Sequence, residues 1–378
     1  MRPGADPGGG AAEGAREARG SGAAAAVPAD SRPSGAAALI RGAAVVLAVA
    51  AVAAGCGEGP TGSSVPKVEL EPPPPGENPI IRARHSADPA ALVHDGRVWL
   101  YTGHDEATPL DNFYVMDDWQ LYSSADMLNW EHHGSPVSLA TFEWAAADAW
   151  AAHAIERDGK FYFYAPVSHA TIFGFSIGVA VADSPQGPFV DARGSALITN
   201  DMTDGPNGMH WDDIDPAVFI DDDGQAYLFW GNTVLHYAKL KDNMIELDGP
   251  IMEIDLPLFV EGPWVHQREG TYYLSYAYGW PEQIAYATAP SITGPWTFQH
   301  VINDVIPNCG TNHQSIIEFE GDWYFFYHNA ALPGGGDFRR SVAVERMFYD
   351  SAGAIFPITQ ALYGLAVDPP PGADTTTS

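Results

Sequence analysis

The chain has 378 residues, of which 46% are hydrophobic and 12% aromatic, so it holds ample material for a large buried core. Its formal net charge of −30 excludes nucleic acid as a partner, because a polyanion would be repelled. The chain has only two cysteines, and if Cys56 is lipidated then Cys309 stands alone, so no disulfide framework holds the fold and stability must come from that core.

The first 56 residues have the features of an export signal. Arg41 precedes an apolar run from Ala43 to Ala54, and Cys56 follows closely. A run of about a dozen residues is too short for a membrane span, which needs about 20. Residues 1–56 are therefore predicted to be a lipoprotein signal with Cys56 as the lipidated cysteine, and an ordinary cleaved signal with an incidental cysteine is the alternative. Because more than 40 residues precede the apolar run, we expect translation to start further downstream.

Two other segments lack the periodicity of packed structure. Residues 57–77 are rich in Gly, Ser and Pro, which predicts a surface tether. Residues 368–378 consist of Asp and three prolines followed by a Thr-rich stretch, and they are predicted to be a disordered tail.

The residues between these segments, 78–367, repeat one pattern five times. An apolar run leads to an acidic residue and a glycine, and a second apolar run follows, which predicts a β-hairpin. Each hairpin is followed by room for two more strands. Four strands repeated five times predict an all-β fold, a single five-bladed β-propeller, because one such sheet cannot bury both of its faces without neighbours. The five turn glycines are Gly96, Gly159, Gly224, Gly270 and Gly321.

Polar residues recur eight or nine positions before the turn glycines. In a propeller the first strand of every blade runs along the central axis, so these positions meet in one funnel. Burying several unpaired carboxylates together is costly unless they are used. Hydrolysis of a glycosidic bond needs one protonated and one ionised carboxyl group, and a third beside the acid would raise the acid's pKa. The positions hold Asp88, Trp150 or Ala151, Asp215, Glu261 and His313.

Three of these positions carry motifs that resemble those of family 43 glycoside hydrolases. The motifs are Ala87-Asp88-Pro89, Ile214-Asp215-Pro216 with its Asp-Asp-Gly turn, and Glu261-Gly262-Pro263. The resemblance covers residues 78–367 and implies a five-bladed propeller with inverting stereochemistry. It also implies that Asp88 is the general base on water, that Glu261 is the general acid, and that Asp215 tunes the pKa of the acid and orients it.

Three further residues resemble binding positions of the family. His313 resembles the axial histidine that in many members faces a water-coordinated calcium ion in the central channel, and a hydrogen-bonded core histidine is the alternative. Arg340 resembles the arginine that reaches the sugar hydroxyls and the acid, with Arg339 as the alternative because adjacent strand residues face opposite sides. Trp150 resembles a sugar-stacking tryptophan, although Trp150-Ala151-Ala152 departs from the commoner Trp-Ala-Pro. No cofactor is expected to be required, and the calcium would be structural.

The resemblance implies a glycosidase that releases pentose sugars from hemicellulose, and we expect an α-L-arabinofuranosidase acting on arabinoxylan or its oligosaccharides. A β-xylosidase acting on xylo-oligosaccharides is the first alternative. A propeller that binds glycans without cutting them is the second, and a retaining relative in which Asp88 attacks as nucleophile is the third. The expected partner is a plant cell-wall saccharide. We expect an exported monomer, extracellular or on the cell surface, that touches the membrane only through its lipid anchor.

Overall fold

The structure, a computed structural model, describes residues 75–203 and 210–374. The predicted signal segment, Cys56 and all but the last three residues of the predicted tether lie outside the described residues. None of the helices in the described part is long and apolar enough to cross a membrane.

The described residues are built almost wholly from antiparallel strands arranged in five sheets, which confirms the predicted five-bladed β-propeller. The strands of the first sheet are β1 (Ser86–His94), β2 (Arg97–His104), β3 (Asp118–Ser124) and β4 (Glu131–Ser138). The second sheet contains β5 (Ala145–Ala147), β6 (His153–Arg157), β7 (Lys160–His169), β8 (Phe175–Ala182), β9 (Val190–Asp191) and β10 (Ile198–Thr199).

The remaining sheets follow in chain order. The third has β11 (Ala217–Ile220), β12 (Ala226–Trp230), β13 (Leu235–Lys239) and β14 (Met252–Ile254). The fourth has β15 (Trp264–Arg268), β16 (Thr271–Tyr278), β17 (Gln283–Ala289) and β18 (Thr297–Asn303), and the fifth has β19 (Gln314–Phe319), β20 (Asp322–Asn329) and β21 (Ser341–Met347). Short 3₁₀ turns occur at Leu139–Thr141, Asn200–Met202 and Gly364–Ala366.

The predicted hairpins open the blades at the expected turns. In the first blade, His94 pairs with Arg97 across Asp95 and Gly96, whose φ angles are 49° and 68°. Two successive positive φ angles define the turn that best matches the twist of paired strands. The acidic-Gly pairs of the second, fourth and fifth blades have the same two positive φ angles.

The first strands of the hairpins form a closed ring around the axis. Strand β1 contacts β6 and β19, β11 contacts β6 and β15, and β15 contacts β19. The apolar core lies between neighbouring blades. For example, Trp119 of the first blade meets Phe163 of the second edge-on, with ring centroids 5.2 Å apart. Full burial of a side chain such as Phe163 contributes about 1.5 to 3 kcal/mol to folding.

The fifth blade departs from the expected four strands. Its sheet has three, and the segment that leads into β1, together with Ser86 at the start of β1, runs beside the outer strand, β21. The Ile80 N–H donates to Val342 O at 2.9 Å, and the Ser86 N–H donates to Arg340 O at 2.9 Å. The start of the propeller thus joins its last blade and closes the ring.

The C-terminal segment contacts the propeller through Asp374. Asp374 donates its N–H to Tyr349 O at 2.7 Å and pairs with Arg268 at 2.6 Å. Asp374 thus has a partner on the fourth blade, and the disorder of residues 368–378 stays a prediction. Residues 375–378 lie outside the described residues.

Candidate active site

The two predicted Asp-Pro positions share an unusual backbone conformation at the axial end of the ring. Asp88 has a φ of 49° and Asp215 a φ of 56°. A positive φ is uncommon outside glycine, although Asp tolerates it better than most residues. At Asp88 it coincides with a register shift of β1 against β2 between Ala87 and Ala90. Both side chains are buried, with 6% and 4% exposure.

Asp88 is an ionised carboxylate. Its Oδ1 lies 2.9 Å from Nη1 of Arg340 and 3.1 Å from Nδ1 of His328. Burial alone would raise the pKa of Asp88, but Arg340 and His328 outweigh burial and hold that pKa well below its usual range. Asp88 therefore has the protonation state that a general base needs.

Arg340 is fixed by two carboxylates and one aromatic ring. Besides Asp88, it binds Asp105 through Nε and Nη2, both at 2.9 Å, and its guanidinium lies 4.7 Å above the ring of Tyr114. Arg339 instead donates to Gly334 O at 2.6 Å and to Thr108 O at 3.1 Å. Of the two arginines, Arg340 therefore faces the site. The ion pairs of Arg340 are with the predicted base and Asp105, whereas the sequence led us to expect it at the acid.

Glu261 has the opposite protonation state. Burial first, and then the charge of Asp215, raise the pKa of Glu261 to about 8. The side-chain amide of Asn232 donates to Oε2 of Glu261 at 2.7 Å. Because the carbonyl oxygen is the better acceptor of a protonated carboxyl group, this bond favours the proton on Oε1. Glu261 is thus a carboxylic acid near neutral pH.

Asp215 lies between the acid and the axial histidine. Its Oδ2 accepts the N–H of Gly262, the residue after Glu261, at 3.0 Å and lies 3.5 Å from Nδ1 of His313. Burial raises the pKa of Asp215, while Asp215 raises the pKa of His313 against the effect of burial. Asp215 therefore holds the backbone beside the acid and places charge near it.

His313 was considered as a calcium position. Calcium takes six to eight oxygen ligands, whereas Nδ1 of His313 is directed at Asp215. The part of the chain that the structure describes has no group of three His, Cys, Asp or Glu side chains arranged to hold a metal ion. A calcium ion at His313 would thus depend on water for most of its ligands, and the calcium stays a prediction.

Trp150 belongs to an aromatic cluster at the edge of the site. Its ring centroid lies 4.3 Å from that of Phe175 and 5.7 Å from that of Tyr114, the ring that covers Arg340. Its indole nitrogen is buried without a hydrogen-bond partner among the described residues. Stacking of this indole on a sugar stays a prediction.

Asp105, Asn232 and His328 were not predicted from the sequence as residues of the site. All three lie where the second strand of a hairpin returns to the axial end, nine, eight and seven residues after the turn glycines Gly96, Gly224 and Gly321. Polar residues at this second repeated position were the sequence signal that could have identified them. The start of the first strand and the end of the second strand of a hairpin lie side by side, so both reach the axial end.

The site brings together three carboxyl groups: Asp88, whose pKa is held low, Glu261, whose pKa is raised, and Asp215, which contributes to raising the pKa of Glu261. This arrangement suits a reaction in which one group removes a proton from water while another gives a proton to a leaving oxygen.

Comparison with known proteins points to the same chemistry. The family model described as glycosyl hydrolases family 43 matches residues 76–355. A xylosidase/arabinosidase of Bacteroides ovatus is 32% identical over 328 residues, which cover 74% of this chain and 96% of that protein. An arabinoxylan arabinofuranohydrolase of Bacillus subtilis is 32% identical over 331 residues, covering 74% of this chain and 63% of that protein.

Solved structures agree. The crystal structure of a GH43 β-xylosidase/α-arabinofuranosidase from a compost microbial metagenome, in a calcium-free form with xylotriose, superposes with a TM-score of 0.68 at 31% identity, covering 76% of this chain and 98% of that one. An α-L-arabinofuranosidase of Clostridium thermocellum gives a TM-score of 0.63 at 32% identity, covering 75% of this chain and 97% of that one.

Proposed function

The chain belongs to the glycosyl hydrolases of family 43, and from this premise we propose that it is an inverting α-L-arabinofuranosidase that removes arabinose from arabinoxylan or its oligosaccharides. The observation that carries the proposal is the opposite protonation of two carboxyl groups in one funnel. The pKa of Asp88 is held far below its usual range, and that of Glu261 is raised to about 8.

In the proposed reaction, Asp88 removes a proton from a water molecule that attacks the anomeric carbon. Glu261 gives its proton from Oε1 to the glycosidic oxygen as that bond breaks. Asn232 keeps Oε2 of Glu261 occupied, so the acid has one orientation. Asp215 raises the pKa of Glu261 and anchors Gly262, which supports its proposed role in tuning and orienting the acid.

The sugar is proposed from the named activities of the relatives. A relative from Bacillus subtilis is named for arabinofuranose release from arabinoxylan, whereas one from Xylanibacter ruminicola, 29% identical, is named a β-xylosidase. A β-xylosidase acting on xylo-oligosaccharides is therefore the second candidate. The test is to incubate the protein with wheat arabinoxylan and, separately, with xylo-oligosaccharides, and to identify the monosaccharide released. Arabinose alone supports the proposal, and xylose alone favours the second candidate.

A propeller that binds glycans without cutting them is the candidate of a different class. It would have no need for a buried acid with a raised pKa beside an ionised base, since burying such groups is costly. The variant Glu261→Gln separates the two readings. It should abolish sugar release while leaving binding of xylo-oligosaccharides measurable by calorimetry, and wild-type protein that binds but releases no sugar would favour the binder.

Export and lipid anchoring at Cys56 remain part of the proposal. Their support is the apolar run that ends before Cys56 and the Gly, Ser and Pro-rich segment after it. Expression in a bacterial host should give a membrane-associated product for the wild type and a released product for Cys56→Ala. Equal distribution of the two products would argue for an ordinary cleaved signal.

A further inference from the structure

His328 is a buried residue of the site to which the proposed reaction assigns no role. It lies on β20 with 0% exposure, and its ring is held at both nitrogens. Nε2 lies 3.0 Å from Thr311 O and 3.2 Å from the Thr311 hydroxyl. Because a carbonyl oxygen can only accept, Nε2 must carry a hydrogen.

The other ring nitrogen, Nδ1, lies near two atoms of Asp88 that favour opposite protonation states of Nδ1. The Asp88 N–H lies 3.3 Å away and would donate to a bare Nδ1. The Asp88 carboxylate Oδ1 lies 3.1 Å away and would accept from a protonated Nδ1. One protonation state cannot satisfy both contacts, so the charge balance of the surroundings decides between them.

That balance favours a protonated Nδ1. Among the described residues, Arg340 is the single cation shared by the two buried carboxylates Asp88 and Asp105. Buried charges are tolerated when they are paired, so the second carboxylate needs a second cation. A charge-assisted bond to Oδ1 is also stronger than a bond from a neutral amide.

The other charged and titratable groups near His328 do not reverse this balance. The Cys309 thiol and Asp88 favour the proton on His328, while Arg340 opposes it, and the pKa of His328 is raised to about 9 against the effect of burial. His313 opposes the proton from the neighbouring side, but it shares Asp215 as its own partner.

Among the described residues, the side chains that hydrogen-bond to the Asp88 carboxylate do so at Oδ1. Oδ2 instead lies beside Gly103, where a methyl group in place of the glycine hydrogen would come within 3.5 Å of it. We propose that His328 is a positioning residue for the general base: as an imidazolium it donates from Nδ1 to Oδ1 of Asp88 and so reserves Oδ2 for the attacking water. The catalytic part of this inference rests on the proposed function, whereas the ion pair does not.

The protonation state can be tested without any substrate. In the full chain labelled with ¹⁵N-histidine, the His328 resonances are assigned by their loss in His328→Gln. At pH 7 both ring nitrogens of His328 should carry hydrogen in the wild type, and Nδ1 should lose its hydrogen in Asp88→Asn. A bare Nδ1 in the wild type at pH 6 would overturn the proposal, whether or not the protein hydrolyses sugars.

Kinetics test the positioning role. His328→Gln should lower kcat roughly 10- to 100-fold with little change in KM, since a small misplacement of a catalytic group costs about that much. In the pH profile of kcat/KM for His328→Gln, the acidic limb should move to higher pH, because the pKa of Asp88 rises when a counter-charge is lost.

The matched control is His266→Gln. His266 is a buried histidine that donates to or accepts from the Tyr349 hydroxyl at 2.7 Å and stacks on Tyr273, away from the carboxylates. The variant His266→Gln should leave the pH profile of kcat/KM unchanged. An unmoved acidic limb in His328→Gln would contradict the positioning role. If His328→Gln fails to fold, the ¹⁵N-histidine spectra of the wild type and Asp88→Asn still test the protonation of Nδ1. The His328 resonances are then assigned as those that differ between these two proteins.

Discussion

Asn232 donates a 2.7 Å hydrogen bond to Oε2 of Glu261, and the two residues come from neighbouring blades. The bond lowers the pKa of the acid and opposes burial, which raises it. Asn232→Ala should therefore raise the pKa of Glu261 further and loosen the orientation of the acid. We expect the alkaline limb of kcat/KM to move to higher pH while kcat falls about 10-fold. A surface variant, Asn243→Ala, is the control. An unmoved alkaline limb in Asn232→Ala would contradict the role of Asn232 in setting the pKa of Glu261.

The pH dependence of activity should report the acid. As the proposed general acid, Glu261 must be protonated to act, so kcat/KM should fall as the pH rises through about 8, the pKa to which burial and Asp215 raise it. Steady-state rates between pH 5 and 10 measure this limb. A decline that begins near pH 5 would mean that Glu261 is not the general acid.

The same pKa shift predicts an effect on stability. The folded-state pKa of Glu261 is raised above that of an unfolded glutamate, so folding stability falls as the pH rises between about 4.5 and 8. Glu261→Gln removes this cost and should raise Tm relative to the wild type at pH 8, with a smaller gain at pH 4.5. Thermal unfolding of both proteins at the two pH values checks the prediction. An equal shift at both pH values would count against a raised pKa.

Arg340 and Arg339 form a matched pair for mutation. Arg340→Ala leaves two buried carboxylates, Asp88 and Asp105, without their shared cation and should cost about 3 to 5 kcal/mol of unfolding free energy. Arg339→Ala removes hydrogen bonds at the exposed surface and should change stability by about 0.5 kcal/mol or less. Urea unfolding measures both values. Similar losses in the two variants would show that the ion pairs of Arg340 contribute little.

Glu282 is a further buried acid, with 1% exposure, that accepts the Asn312 N–H at 2.8 Å. Burial raises the pKa of Glu282 well above its usual range, which favours the neutral form of the side chain. Glu282→Gln should consequently preserve folding and most activity, whereas Glu282→Ala should destabilise the fourth blade. A strong loss in the Gln variant, seen in Tm, would indicate an ionised Glu282.

The repeated hairpins were predictable because their cause is local. An acidic-Gly pair favours two positive φ angles, and this preference can be read at Gly96 or Gly270 without any tertiary information. The axial positions of Asp88, Asp215 and Glu261 followed from the repeat itself. The partners that set their protonation, Asn232 and His328, stand at a second repeated polar position of the hairpins, but which axial carboxyl group each one contacts depends on how the blades pack and cannot be read from a short-range pattern.

The closure of the ring and the contacts of the C-terminal segment were not predicted either. Both depend on contacts between residues far apart in sequence, such as Ile80 with Val342 and Arg268 with Asp374. A composition rich in proline favours disorder only when no such partner exists.

The stereochemistry of the first product tests the central claim most directly, that Asp88 activates water while Glu261 protonates the leaving oxygen. A ¹H NMR time course with arabinoxylan oligosaccharides records which anomer of the released sugar appears before mutarotation. Inversion predicts that β-L-arabinose appears first from an α-L-arabinofuranoside. Early appearance of the α anomer would contradict the account, because it would require Asp88 to attack the sugar itself.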